Sequence, residues 1–211
     1  MSYNSDMNEK HSSTGKPPAF HLTVDDVIFT IKDEALHVLL IKRSTDPFGG
    51  MWALPGGFLQ LDETAAEAAK RILQDKAGVS DVFVEQLYTF DDHKRDVRGH
   101  IPSIAHYALV PEQRLQIAAK ETTQEPTLFD ITNLPELAFD HTEIVTYALN
   151  RLRAKLEYTN IVFSLLPKEF TFNELQKTYE TVLGRELDKR KFQKKYISLG
   201  LIKATGKKTD G

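Results

Sequence analysis

With 211 residues, 41% of them hydrophobic and 27% charged, the chain is long enough to bury a real core in one or two domains. It has no cysteine, which excludes a disulfide scaffold and any thiolate metal site, and no apolar run approaches the ~20 residues of a membrane-spanning helix. The net charge of −3 hides a division: residues 1–150 hold 13 Lys and Arg against 23 Asp and Glu, whereas residues 151–211 hold 14 against 7, so a basic third follows an acidic body and points to an anionic partner.

Residues 1–18 are polar and lack the apolar centre of a signal peptide, so a mobile arm in a cytoplasmic protein is expected. Leu22–Lys32 and Ala35–Lys42 are rich in β-branched and apolar residues around Asp33-Glu34, which predicts a hairpin. The following stretch from Arg43 is a Gly- and Pro-rich loop that holds the only tryptophan, Trp52, in Met51-Trp52-Ala53-Leu54-Pro55-Gly56-Gly57. Next, Thr64-Ala65-Ala66-Glu67 has the form of a capping box opening a helix over Ala65–Lys76, with Gly78 as its left-handed stop. Arg71 and Asp75 lie four apart, as do Ile72 and Lys76, so each pair shares a helical face.

Asp81–Phe90 and Ile101–Val110 are expected as strands joined by the charged turn Asp91–Gly99. Pro111–Asp130 is polar and irregular until Leu128–Ile131, a last short strand. Asp140-His141-Thr142-Glu143 repeats the capping-box form ahead of a helix with Ile144, Val145, Ala148, Leu149, Leu152 and Leu156 at helical spacing.

The basic third changes to short helices. Ile161–Leu166 precedes Pro167, a helix spans Asn173–Leu183 and ends at Gly184, and Asp188 caps a second helix over Lys189–Leu199. That order fits a helix-turn-helix. The second helix is expected to turn Phe192, Tyr196 and Leu199 inward and to show Lys189, Arg190, Lys191, Gln193, Lys194 and Lys195. Lysines suit phosphates, and Arg190 and Gln193 are the side chains able to make paired contacts with base edges. Leu201–Ala204 looks like the first strand of a wing with Lys207 and Lys208 at its tip; the stop at Gly211 leaves that wing minimal or cut short.

From Gly57 to Val79 the spacing of Gly57, Glu63, Arg71, Leu73, Gly78 and Val79 resembles the Nudix box, by which Nudix hydrolases grip a diphosphate and its magnesium ions. Ile72, Asp75 and Lys76 stand where that family has glutamates, and neither an isoleucine nor an ammonium supplies the hard oxygen that magnesium takes. With the basic helix-turn-helix, and with Tyr88-Thr89-Phe90, Arg95–Gly99 and Phe139-Asp140-His141, the chain resembles the Nudix-related transcriptional regulators of nicotinamide nucleotide metabolism and of sugar use. The resemblance implies an α+β protein: a Nudix-fold α/β/α sandwich with a mixed sheet over residues 19–156, then a small winged helix-turn-helix domain over 157–211.

It also implies a cytoplasmic homodimer, a repressor that binds double-stranded operator DNA, needs no cofactor and does not enter a membrane. Its effector is ADP-ribose, with a nicotinamide nucleotide or a pentose as the other candidates. Candidate ligand-binding residues are Arg43, Trp52, Gly57, Lys76, Phe90, Arg95 and Arg98. Lys76, with Arg95 and Arg98, is expected to neutralise the effector's pyrophosphate in place of a metal. No catalytic residue and no metal are expected; Glu63, Arg71 and Asp75 are what remains of the box. The alternatives are an RNA-binding module, or an active hydrolase whose magnesium is held by Glu63 and Asp75 with help from Asp91, Asp92 or Glu121.

Overall fold

A computed structural model describes residues 21–116 and 124–202. Its frame is a mixed sheet. Strands β1 (Thr23–Lys32) and β2 (Ala35–Lys42) form the expected antiparallel hairpin, turning through Asp33 and Glu34 at φ 47° and 60°. On its other side β1 runs parallel to β6 (Ser103–Leu109), which pairs antiparallel with β5 (Phe83–Phe90). Two short strands, β3 (Trp52–Ala53) and β4 (Gly56–Phe58), add to β2 and β1, and β7 (Gln124–Asp130) closes on β2.

The last strand corrects the expectation: it begins at Gln124 and ends before Ile131. Polar residues and Pro126 hid it. Among the described residues it pairs with β2 alone, so it lies at the sheet's border, where proline is tolerated.

Side-chain alternation along β1 decides which helix covers which face. Val24 and Ile28 pack under α1 (Ala65–Ala77) with Ala68, Ala69, Ile72 and Leu73, whereas Val27 and Phe29 share a core with Ile144, Val145, Ala148 and Leu152 of α2 (His141–Lys155). The result is the helix–sheet–helix sandwich. At the head of α1 the capping box forms as read: Thr64 accepts from Glu67 N, and Glu67 accepts from Thr64 N. Gly78 ends the helix at φ 65°.

At α2 the second expected box does not form. Asp140 is the N-cap residue but makes no side-chain cap bond, because its carboxylate is taken by Arg95.

The core does not stop at α2. Leu156, Ile161, Val162 and Leu165 carry it into α3 (Phe172–Leu183) and α4 (Lys189–Ser198), where Leu175, Tyr179, Val182, Phe192 and Tyr196 are buried. Residues 161–165 form a 3₁₀ turn beneath α3. Thr171 and Glu174 cap α3, Gly184 stops it at φ 68°, and Asp188 caps α4 by accepting from Lys191 N at 2.8 Å.

Leu199 corrects the expected inner stripe: it follows α4 and is 52% exposed. Among the described residues no helix is long and apolar enough to cross a membrane. Residues 1–18, Glu121, Lys207, Lys208 and the expected wing strand beyond Ile202 lie outside the described residues.

Candidate functional site

Two consecutive acids in β1 mark the first site. In a strand they point to opposite faces, and here both are buried, Asp25 toward α2 and Asp26 toward α1. Asp25 accepts from Ser103 Oγ at 2.5 Å and lies 3.6 Å from Arg95 and 3.7 Å from His141 Nε2. Its carboxylate fills the space over Gly56, where a Cβ would come within 2.1 Å of Oδ1. Arg95 is buried and forked onto Asp140 at 2.7 and 2.8 Å, with a further bond to Ile101 O. Burial works against the charge of Arg95, but Asp140 and Asp25 raise its pKa. It is therefore a structural cation rather than a free clamp.

His141, wholly buried, accepts from Leu54 N at 2.9 Å through Nδ1. That bond leaves the proton on Nε2, facing Asp25, and burial holds the ring neutral by lowering its pKa.

Around these groups lies a cavity of about 120 Å³, lined among others by Arg43, Gly57, Phe58, Arg98 and Phe139. Arg98 is forked onto Asp96 at 2.9 and 2.6 Å. Arg43 donates instead to the carbonyls of Pro47 and Thr45, which fix it without neutralising it. Burial and the neighbouring Arg98 lower its pKa, as expected for like charges held together. Both guanidiniums lie over the Phe139 ring, at 4.8 and 5.6 Å from its centroid, and Arg98 also lies 5.4 Å from that of Phe58. Phe139 and Phe48 meet edge to face at 4.8 Å, and both adopt left-handed backbone conformations, at φ 56° and 66°. Two such phenylalanines in contact are a local strain of the kind stored at binding sites.

The structure thus brings four expected residues, Arg43, Gly57, Arg95 and Arg98, to one cavity. Three others stand elsewhere. Trp52 packs edge to face with Phe129 and lies under Lys42, outside the lining of the cavity. Phe90 is in the core against Tyr88 and Tyr147. Lys76 is on the last turn of α1, which covers the sheet face opposite Asp25, so it does not join Arg95 and Arg98 around an anion.

Sequence reasoning missed Asp25, Asp96, Phe58, Phe139 and His141. Signals were available: the runs Arg95–Gly99 and Phe139-Asp140-His141 already held Asp96, Phe139 and His141, and alternation forces at least one of the adjacent acids Asp25-Asp26 in an apolar strand to turn inward.

Across β4, the box keeps its frame but has lost its donors. Glu63 accepts Nε and Nη2 of Arg71 at 2.9 and 2.5 Å and the amide of Gln60, and the Arg71 hydrogen bond holds its pKa below the ordinary range. Ile72 is buried among Val24, Ala68 and Ala69. Asp75 is exposed on α1 and has a partner of its own. This donor set does not fit the magnesium cluster that a Nudix box implies: of the positions compared with the family, one is aliphatic, one is a cation and one carboxylate is already forked. Among the described residues no group of three or more acids or histidines is placed to hold a metal ion.

A larger cleft, about 510 Å³, lies where the Asp33-Glu34 turn meets α3. Its glutamates are all engaged: Glu34 with Lys177, Glu112 with Lys32, Glu174 in the α3 cap, and Glu180 with Gln176 and Leu187 N. It is a seam between the sandwich and the helices rather than a poised site.

The second site is the outer face of α4. Phe192 and Tyr196 pack on Tyr179 at 5.3 and 5.4 Å, and Lys189, Arg190, Lys191, Gln193, Lys194 and Lys195 are all exposed, as expected. Five cations on ten residues, unrelieved by an acid, make a surface for a polyanion.

Known proteins share both halves. The NUDIX domain matches residues 20–148, and the NrtR DNA-binding winged helix domain matches residues 162–211. The ADPR responsive transcriptional repressor NtrR of Acinetobacter baylyi is 37% identical over 192 residues, which cover 89% of this chain and 76% of that protein. The crystal structure of Shewanella oneidensis NrtR complexed with a 27mer DNA is similar at a TM-score of 0.81 and 34% identity, over 90% of this chain and 89% of that one. The NUDIX domain of the same NrtR, complexed with ADP ribose, is similar at a TM-score of 0.59 and 35% identity, over 68% of this chain and 94% of that one.

Proposed function

The chain belongs to the Nudix family, in the branch that carries an NrtR DNA-binding winged helix, and from that premise we propose that it is a transcriptional repressor that senses ADP-ribose and does not cleave it. The observation that carries this reading is the box helix itself, intact in its caps and core but with Ile72 turned into that core and Glu63 forked by Arg71. Such a helix holds the fold of a hydrolase without assembling its metal ions.

Arg43 and Arg98 supply the positive charge for the effector's phosphates, and Phe139 and Phe58 supply rings for a sugar or base face. At about 120 Å³ the cavity holds one phosphate or ribose unit, so the rest of ADP-ribose lies along the open mouth past Phe58, itself 47% exposed. The protein acts as a homodimer on operator DNA in the cytoplasm, with α4 in the major groove.

The test pairs two measurements on the full chain. A duplex enriched from a random pool is titrated with and without ADP-ribose, and ADP-ribose is incubated with the protein and magnesium. A change in DNA affinity with ADP-ribose recovered intact supports the proposal. Turnover near ~1–10³ s⁻¹ would make the protein a working Nudix hydrolase instead. A thermal shift given by a pentose or a nicotinamide nucleotide, and none by ADP-ribose, would reassign the effector.

A further inference from the structure

Ile197 is 62% exposed on α4, an unusual place for so apolar a side chain. It follows Arg190 by seven positions, Gln193 by four and Lys194 by three, so these four share one helical face, turned away from the buried Phe192 and Tyr196. Every other member of that face within α4 carries a cation or an amide, and the exposed Leu199 and Leu201 lie beyond the end of the helix. A second protein's apolar surface is a poor partner here, since covering Ile197 would strip water from the ammonium and guanidinium groups around it.

The fitting partner is a polyanion with an apolar group at the depth a helix side chain reaches. Duplex DNA offers both: phosphates along the groove edges for the lysines, and the C5 methyl of thymine on the major-groove floor. Uracil has no such methyl, so RNA lacks the feature.

We infer that Ile197 packs on a thymine methyl and so specifies an A·T pair in the operator, an inference that rests on reading α4 as the recognition helix. The spacing adds a location. Seven residues of helix advance about 10 Å, and base pairs stack about 3.4 Å apart. The thymine therefore lies within about three base pairs of the one that Arg190 reads, three being the value for a helix laid along the duplex axis.

The experiment uses the full chain and a duplex it enriches from a random pool. The duplex is remade with deoxyuridine for thymine, one position at a time, which removes one methyl group and nothing else. One position is expected where the wild-type protein loses affinity about fourfold, the worth of a buried methyl. At that position Ile197→Ala binds the thymine and uracil duplexes equally, while keeping the wild-type salt dependence. Indifference of the wild type to every replacement overturns the inference, and so does undiminished discrimination by Ile197→Ala. If the wild-type chain enriches no duplex and binds DNA with no salt dependence, the recognition-helix reading falls, and the inference with it.

Discussion

Asp26 is the residue whose energetics are least settled by its neighbours. It is wholly buried beneath α1, and neither carboxylate oxygen has a hydrogen-bond partner among the described residues. Burial, and then the charge of Asp25, raise its pKa well above the ordinary range, while Arg71 acts in the opposite direction. The sign follows from proton counting: in the window between the ordinary carboxylate pKa and the raised one, the folded chain binds the proton that the unfolded chain has lost. Stability therefore falls as pH rises through that window, at up to about 1.4 kcal/mol per pH unit.

Asp26→Asn removes the titration, so its stability relative to wild type should grow from pH 4 upward in urea unfolding. A constant difference across pH 4–8 would refute the assignment. Gly56→Ala is the opposite case. Its Cβ would meet both Asp25 Oδ1, at 2.1 Å, and the Val24 carbonyl, at 2.9 Å, so backbone must move. It is expected to abolish the ADP-ribose thermal shift, and a shift of wild-type size would show that Asp25 does not shape the cavity.

Among the elements, helices were legible in the sequence because their signals are local. Thr64 with Glu67, Asp188, and the glycines at 78 and 184 each act within a turn of their helix, and all four form as read. Failures came where a distant group intervened. The expected α2 cap lost Asp140 to Arg95, 45 residues away in sequence. The clamp assigned to Lys76 failed because strand alternation, not helix periodicity, decides which side of the sheet meets α2. The cavity was half legible: its arginines stand out in the sequence, but Asp25, Phe139 and His141 meet only through the sheet.

For α4, whose cations were legible, counterion release sets the expectation. Each phosphate contact contributes about 0.9 to the slope of log affinity against log salt. Lys191→Ala with Lys194→Ala should weaken binding to every duplex and lower that slope by about two. An unchanged slope would move the DNA interface off α4.

At the scale of the whole molecule, α2 touches both the cavity and the DNA-binding helices, so it is the expected route between effector and DNA. From His141 on the cavity it runs about 18 Å to Arg153, whose Nε donates to Val182 O in the last turn of α3 at 2.9 Å. A second bridge exists where Lys177 meets Glu34 and Thr181 donates to the Glu34 carbonyl. Its ion pair is 51% and 74% exposed, however, and exposed pairs of this kind contribute under about 1 kcal/mol. The core along α2 is buried and continuous instead, and is expected to carry more of the coupling.

Coupling free energies are reciprocal, so whatever factor ADP-ribose imposes on DNA affinity, DNA must impose on ADP-ribose affinity. Arg153→Ala frees the end of α3 from α2 without touching the cavity or the face of α4. It is expected to leave each ligand's separate affinity within about twofold and to bring the factor between them toward one, measured both ways. Glu34→Ala should leave that factor near its wild-type value. If instead Glu34→Ala collapses the coupling and Arg153→Ala spares it, the signal passes through the hairpin turn and not along α2.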